Sequence, residues 1–139
     1  MPISIDTSVL LAIFKAEPDG PDWLELLIDI RKADQLTACD VVWAEVAPLF
    51  ATAAMLQQRM QALGVVFDPV QPDTAFLAGS VFRSYREAGG PREHLIPDFL
   101  IGAHAQRQAD GIAARDRGYL RAYFPNLKVF RPGSVRAFG

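Results

Sequence analysis

Two rhythms of apolar residues alternate along the chain: short runs rich in Val and Ile, and longer stretches with apolar positions three or four apart. The first run, Ile3–Ile5, reads as a strand and stops at Asp6-Thr7-Ser8, after which Val9–Ala16 keeps a helical period until Pro18-Asp19-Gly20. Pro21 suits a first helical position, and Trp23, Leu24, Leu27, Ile28 and Ile30 give the helix from Pro21 to about Arg31 a broad apolar face. Leu36–Cys39 is the next strand. Asp40 is placed to cap a helix from Val41, Pro48 kinks or ends that helix, and a further helix runs from Thr52 to Leu63 with Gly64 as its stop.

Val65–Phe67 reads as a third strand, closed by Asp68-Pro69. Asp73 caps a helix reaching Ala88, Gly89-Gly90 ends it, and after the loop from Pro91 to Pro97 a helix from Asp98 to about Ala109 leads into the strand Ile112–Ala114. A short helical segment, Tyr119–Phe124, precedes a last strand, Lys128–Phe130. Strands separated by helices throughout predict an α/β fold with a mostly parallel sheet covered on both faces. Such sheets gather ligands at the carboxyl ends of their strands.

Composition narrows the class. The 139 residues suit one domain, 1–139, and with half of them hydrophobic and no low-complexity or single-sign charge run the chain is expected to be globular. Its apolar stretches, such as Val9–Phe14, fall far short of the roughly 18 residues of a membrane span. The opening Met-Pro-Ile-Ser-Ile-Asp lacks the basic and apolar regions of a signal peptide, so a cytoplasmic location is expected. The single cysteine, Cys39, makes neither an internal disulfide nor a multi-thiolate zinc site and reads as a small buried hydrophobe. A formal net charge of −2 gives no global attraction to nucleic acid, so any such affinity must come from a local basic patch or from metal ions.

Most of the sixteen acidic residues, such as Glu25, Asp29, Asp34, Glu87 and Asp110, fall on polar faces or helix ends. Four stand out. Asp6 sits at the carboxyl end of the first strand beside a helix start, where it either serves a ligand or caps the helix. Glu45 lies in Val41-Val-Trp-Ala-Glu-Val-Ala, and a carboxylate among such neighbours must be paired, protonated or metal-bound unless it faces out at a gap in the packing. Asp98 starts the run Phe99-Leu-Ile-Gly-Ala-His-Ala, where an N-cap role competes with a functional one. Asp116 follows the strand Ile112–Ala114, flanked by Arg115 and Arg117, with a local salt bridge as its alternative. Asp40 and Asp68 also follow strand-like runs but rank lower, as a plain cap and a turn residue before Pro69. Carboxylates gathered at one end of a sheet repel unless a cation neutralises them, and all-oxygen ligation suits Mg²⁺ or Mn²⁺. One or two such ions activate water against a phosphodiester. No serine or cysteine nucleophile with a histidine base is apparent.

Arg83 and Arg86 on one helix face, Arg92 and His94 in the loop before Asp98, and Arg115 and Arg117 form a candidate basic rim for RNA phosphates, or else ordinary solvated surface. Tyr85, Tyr119 and Phe99 are candidates for stacking on bases, or for the core. His104 is expected to be a hydrogen-bonded core histidine rather than a ligand.

Taken in order, Ile5-Asp-Thr-Ser8, Glu45 in an apolar helix, Pro97-Asp-Phe-Leu-Ile-Gly-Ala-His104, Arg115-Asp-Arg-Gly-Tyr119 and Tyr123-Phe-Pro-Asn-Leu127 resemble the PIN-domain toxins of bacterial toxin–antitoxin pairs, the VapC-like ribonucleases. The resemblance spans essentially the whole chain. It implies a three-layer α/β/α sandwich with a mostly parallel central sheet of four to five strands. It further implies an endoribonuclease in which Asp6, Glu45, Asp98 and Asp116 hold Mg²⁺ or Mn²⁺, a cognate VapB-like antitoxin lying over the site, and a homodimer. One departure is Ala114, two residues before Asp116, where family members often carry threonine. Two other classes stand beside this one: a non-catalytic partner-binding protein on the same scaffold, and a receiver-type domain with an aspartyl nucleophile, which wants a second carboxylate close to the first that Asp6-Thr7-Ser8 does not supply.

Overall fold

The computed structural model describes residues 1–91, 95–115 and 118–133. Five strands form one sheet: β1 (Pro2–Ile5), β2 (Gln35–Ala38), β3 (Val65–Phe67), β4 (Ile112–Ala113) and β5 (Val129–Phe130). Every pairing is parallel and the spatial order is β3-β2-β1-β4-β5, so the expected mostly parallel sheet is wholly parallel among the described residues.

The helices are α1 (Thr7–Phe14), α2 (Gly20–Arg31), α3 (Asp40–Val46), α4 (Ala53–Leu63), α5 (Pro72–Glu87), α6 (Ile96–Gln108) and α7 (Tyr119–Tyr123), with a 3-10 turn at Ala47–Leu49. Connections from β1 to β2 to β3 step one way across the sheet, and those from β3 to β4 to β5 step the other way. Right-handed crossovers therefore put α1–α4 on one face and α5–α7 on the other. The packing of α1 on α2 and α3, and of α5 on α6, agrees with that division.

Local chemistry accounts for most boundaries. Thr52 caps α4 by accepting from the Met55 N–H at 3.2 Å, and Gly64 closes it at φ +78°, a left-handed conformation that suits glycine. Pro48 stands inside the 3-10 turn that relieves the end of α3, as its missing N–H requires. Three expected caps prove different. Asp40 is the first residue of α3, and its carboxylate accepts from the Val70 N–H at 3.0 Å instead of capping. Asp73 lies inside α5, which begins at Pro72, and pairs with Arg107 at 2.9 Å. Asp98 is the third residue of α6, because the helix starts two residues earlier at Ile96.

The core is continuous from Ile3, Ile5, Leu36 and Ile112 in the sheet to Leu10, Leu27, Val42 and Met60 on one face and Phe99, Ile101 and Phe124 on the other. Phe82, Tyr85, Phe99 and Tyr123 form an aromatic group of mostly edge-to-face and tilted contacts, with centroids 5.1–6.5 Å apart. Gly102 in α6 faces the Phe124 ring so closely that a Cβ there would overlap it, which sets how near α6 lies to α7. Cys39 is fully buried, and burial pushes its thiol above its ordinary range, as expected for a packing residue. No helix among the described residues is long and apolar enough to cross a membrane.

Candidate functional site

The winding direction reverses between β1 and β4, which makes the crevice beyond their carboxyl ends the topological switch point where such sheets hold ligands. Asp6 stands at that point. Its backbone N–H still donates to Ala113 O at 2.9 Å, continuing the β1–β4 ladder, and its φ/ψ of −74°/150° turns the chain into α1. One carboxylate oxygen, Oδ2, accepts from the Ser8 N–H at 3.1 Å and from the Ser8 hydroxyl. Asp6 thus caps α1 and faces the crevice from the end of β1. A carboxylate offers about four lone-pair positions, so capping does not consume it.

Glu45 reaches the same place from α3. Thr7, the residue after Asp6, donates its hydroxyl to Glu45 Oε1 at 2.7 Å. The expectation that Glu45 is immersed in apolar residues is not met. The helix α3 buries Val42 and Val46 and leaves Ala44 and Glu45 exposed, so the apolar neighbours in sequence lie round the other side of a short helix. Thr7 is the contact at this site that sequence reasoning missed, and its one local signal was adjacency to Asp6.

Asp98 approaches on α6. His104 in α6 bonds Ser4 in β1 at 3.1 Å, and α6 leads by a short turn into β4, which pairs parallel with β1, so α6 runs antiparallel to β1. From that tie Asp98 lies six residues back along α6, about 9 Å of rise, and Asp6 two residues on along β1, about 6.6 Å, so both lie towards the same end of the sheet. Asp98 is half-buried and accepts from the Leu95 N–H at 3.3 Å, one half of a capping box. Asp116 lies outside the described residues. Ala114, where a threonine was expected, is buried, with its N–H directed at Phe130 O at 3.3 Å.

The basic rim is only partly of the kind expected. Arg115 Nη2 bonds Glu17 at 3.2 Å and Asp19 at 2.7 Å, so its guanidinium ties the end of β4 to the α1–α2 turn. Arg83 pairs along its own helix with Glu87 at 3.2 Å, and Arg86 is exposed. Arg92, His94, Arg117 and the ring of Tyr119 lie outside the described residues. Tyr85 and Phe99 are buried in the aromatic group, which removes both from the candidates for base stacking. Tyr85 donates its hydroxyl to Pro91 O.

Among the described residues no three Asp, Glu, His or Cys side chains close into a ready cage. The candidate donors are all carboxylates, with Asp6 and Asp98 half-buried and Glu45 exposed. That chemistry fits a hard divalent cation that keeps several waters, and it does not fit a soft metal.

A search of solved structures finds the same fold in VapBC2 from Rickettsia felis bound to a DNA fragment from its promoter. The TM-score is 0.72 at 16% identity, covering 94% of this chain and 98% of that one. FitAcB from Neisseria gonorrhoeae matches at TM-score 0.60 and 20% identity, over 95% of this chain and 98% of its own. Mycobacterium tuberculosis VapC20, a sarcin-ricin loop cleaving toxin, matches at 0.61 and 17%, over 91% and 98%. No curated protein matches in sequence. The PIN domain family model matches residues 3–125, nearly the whole chain. With that match and the wholly parallel five-stranded sandwich, the chain belongs to the PIN domain family.

Proposed function

We propose that this chain, acting as one PIN domain over residues 1–139, is a Mg²⁺- or Mn²⁺-dependent endoribonuclease toxin of the VapC kind, with Asp6, Glu45, Asp98 and Asp116 as its catalytic and metal-holding carboxylates. The observation that supports the reading is the bond from Thr7, next to Asp6 at the switch-point end of β1, to Glu45 of α3, with Asp98 half-buried in the first turn of α6. VapC20, alike in fold, is a sarcin-ricin loop cleaving toxin, which supports the toxin reading.

Each described acid has a defined task. Asp6, held by Ser8 on one oxygen, projects from the end of β1. Glu45 is oriented by the Thr7 hydroxyl, which fixes one of its oxygens. Asp98 is held by the Leu95 N–H at the first turn of α6. When bound, the cation supplies the charge that screens these carboxylates from one another, polarises the phosphodiester and activates a water. A cognate VapB-like antitoxin over this crevice and a homodimer complete the proposal, both resting on the family likeness.

The test is cleavage of RNA by the purified chain. Activity is expected with Mn²⁺ or Mg²⁺, abolished by EDTA and restored by added Mn²⁺. Cleavage that survives EDTA, or that persists in Asp6→Asn, overturns the reading.

A further inference from the structure

Beneath the crevice runs a buried polar chain that the proposed reaction does not use. Ser4 in β1 and His104 in α6 are both fully buried, and the Ser4 hydroxyl lies 3.1 Å from His104 Nδ1. On its other side His104 Nε2 lies 2.9 Å from Asp68 Oδ2, just past β3. Gln108, one turn further along α6, donates to the same Asp68 oxygen at 3.1 Å and to Pro69 O at 3.0 Å. Order and distances resemble a serine–histidine–aspartate relay, but with no surface exposed Ser4 cannot attack a substrate.

Asp68 Oδ2, which accepts from Gln108, also serves as the acceptor facing Nε2, so Nε2 carries the ring proton and Nδ1 accepts from the Ser4 hydroxyl. Buried polar chains of this kind cost desolvation that an apolar contact avoids; what they add is direction and fixed distance. Ser4 lies two residues before Asp6, and His104 lies six residues after Asp98. Their bond is therefore a cross-tie between the element that carries one acid and the element that carries the other. Sliding of α6 along β1 by even about 1 Å displaces Asp98 from Asp6, an error of the size that costs about 100-fold in a catalytic site.

We infer that His104 is a positioning residue of the carboxylate centre: its Nδ1, bonded to Ser4, sets where Asp98 stands relative to Asp6, and Asp68 serves by fixing the ring's tautomer. The inference rests on the reading of Asp6 and Asp98 as parts of one cation-holding centre.

Two amide replacements separate the two sides of the ring. His104→Asn keeps an acceptor at the Nδ1 position, and with it the Ser4 bond, while losing the reach to Asp68. His104→Gln keeps a donor at the Nε2 position for Asp68 while losing the Ser4 bond. Mn²⁺ affinity by calorimetry is expected to stay within about twofold of the unmodified chain in His104→Asn and to fall about tenfold in His104→Gln and Ser4→Ala, the lower end of what loss of a supporting hydrogen bond costs a metal site. Melting temperatures of the two His104 variants are expected to be similar. In the metal-free protein, ¹⁵N shifts of His104 are expected to report the Nε2–H tautomer. Equal Mn²⁺ affinity in the Asn and Gln variants, affinities that follow melting temperature alone, or an Nδ1–H ring overturns the positioning role while leaving the centre standing. Loss of Mn²⁺ binding in Asp6→Asn marks that centre as real, and absence of Mn²⁺ binding by the unmodified chain overturns both.

Discussion

Asp6 and Asp68 occupy equivalent places on two parallel strands, and they do different work. Each lies two residues beyond the cross-strand row Ser4–Thr37–Val66, and each follows the last residue of its strand. Asp6 ends β1 at the switch point, where helices depart to opposite faces and leave a crevice. Asp68 ends the edge strand β3, and its carboxylate is taken up by His104 and Gln108 of α6. The same residue type at the same strand level is thus a candidate ligand in one place and a structural acceptor in the other. What decides between them is whether a helix from the opposite connection covers the strand end.

The sharpest way to break this contrast is to neutralise each aspartate. Asp6→Asn retains an excellent helix cap, so folding is expected to be nearly unchanged, while RNA cleavage falls at least about 100-fold, or about 2.7 kcal/mol of barrier. Initial rates at fixed Mn²⁺ measure it. Asp68→Ala is expected to do the reverse in stability. It strands the buried His104 Nε2–H and lowers unfolding free energy by about 1–3 kcal/mol in urea titrations. Should Asp68→Ala abolish cleavage as completely as Asp6→Asn while melting normally, the two strand ends would be equivalent after all.

Arg115 extends the comparison to the end of β4. Its bonds to Glu17 and Asp19 are partly exposed, so Arg115→Ala is expected to cost about 1 kcal/mol or less, with the difference shrinking as salt is raised in thermal melts. The smallest effect is expected at Asp73, on the surface of α5. The Arg107 guanidinium beside it, which donates a hydrogen bond, holds its carboxyl below the ordinary 3.8. A group depressed in the folded state contributes stability above its unfolded pKa and loses it as pH falls through the folded value. Asp73→Asn is therefore expected to flatten melting temperature against pH below about pH 4 and to leave the profile near neutrality almost unchanged.

The sequence already carried the alternation of strands and helices and the parallel sheet, because burial on both faces leaves continuous apolar runs that punctuation by Gly, Pro and Asp makes easy to bound. The place of Asp6 at the end of β1 was legible for the same reason, as an acid directly after such a run. Glu45 was singled out on a premise that failed. Apolar neighbours in sequence say little about burial in a seven-residue helix, where two buried positions suffice to dock it. The Thr7 bond to Glu45 and the role of Asp68 were not legible, since both depend on which elements meet across the sheet, and no local pattern encodes that. Tyr85 and Phe99 show the same limit: their rings serve the α5–α6 contact, which periodicity allows but does not select. The serine inside Ile3-Ser4-Ile5 was the overlooked local clue, a polar residue in the middle of a buried strand that had to find a partner.

The account turns on one centre built by Asp6, Glu45 and Asp98. Anomalous diffraction at the manganese edge from crystals soaked in Mn²⁺ tests it most directly. The expected result is a peak in the crevice beyond β1 and β4, within coordination distance of Asp6 and flanked by Glu45 and Asp98, and absent from Asp6→Asn crystals. A peak beside Asp68 alone, or one that persists unchanged in Asp6→Asn, would contradict it.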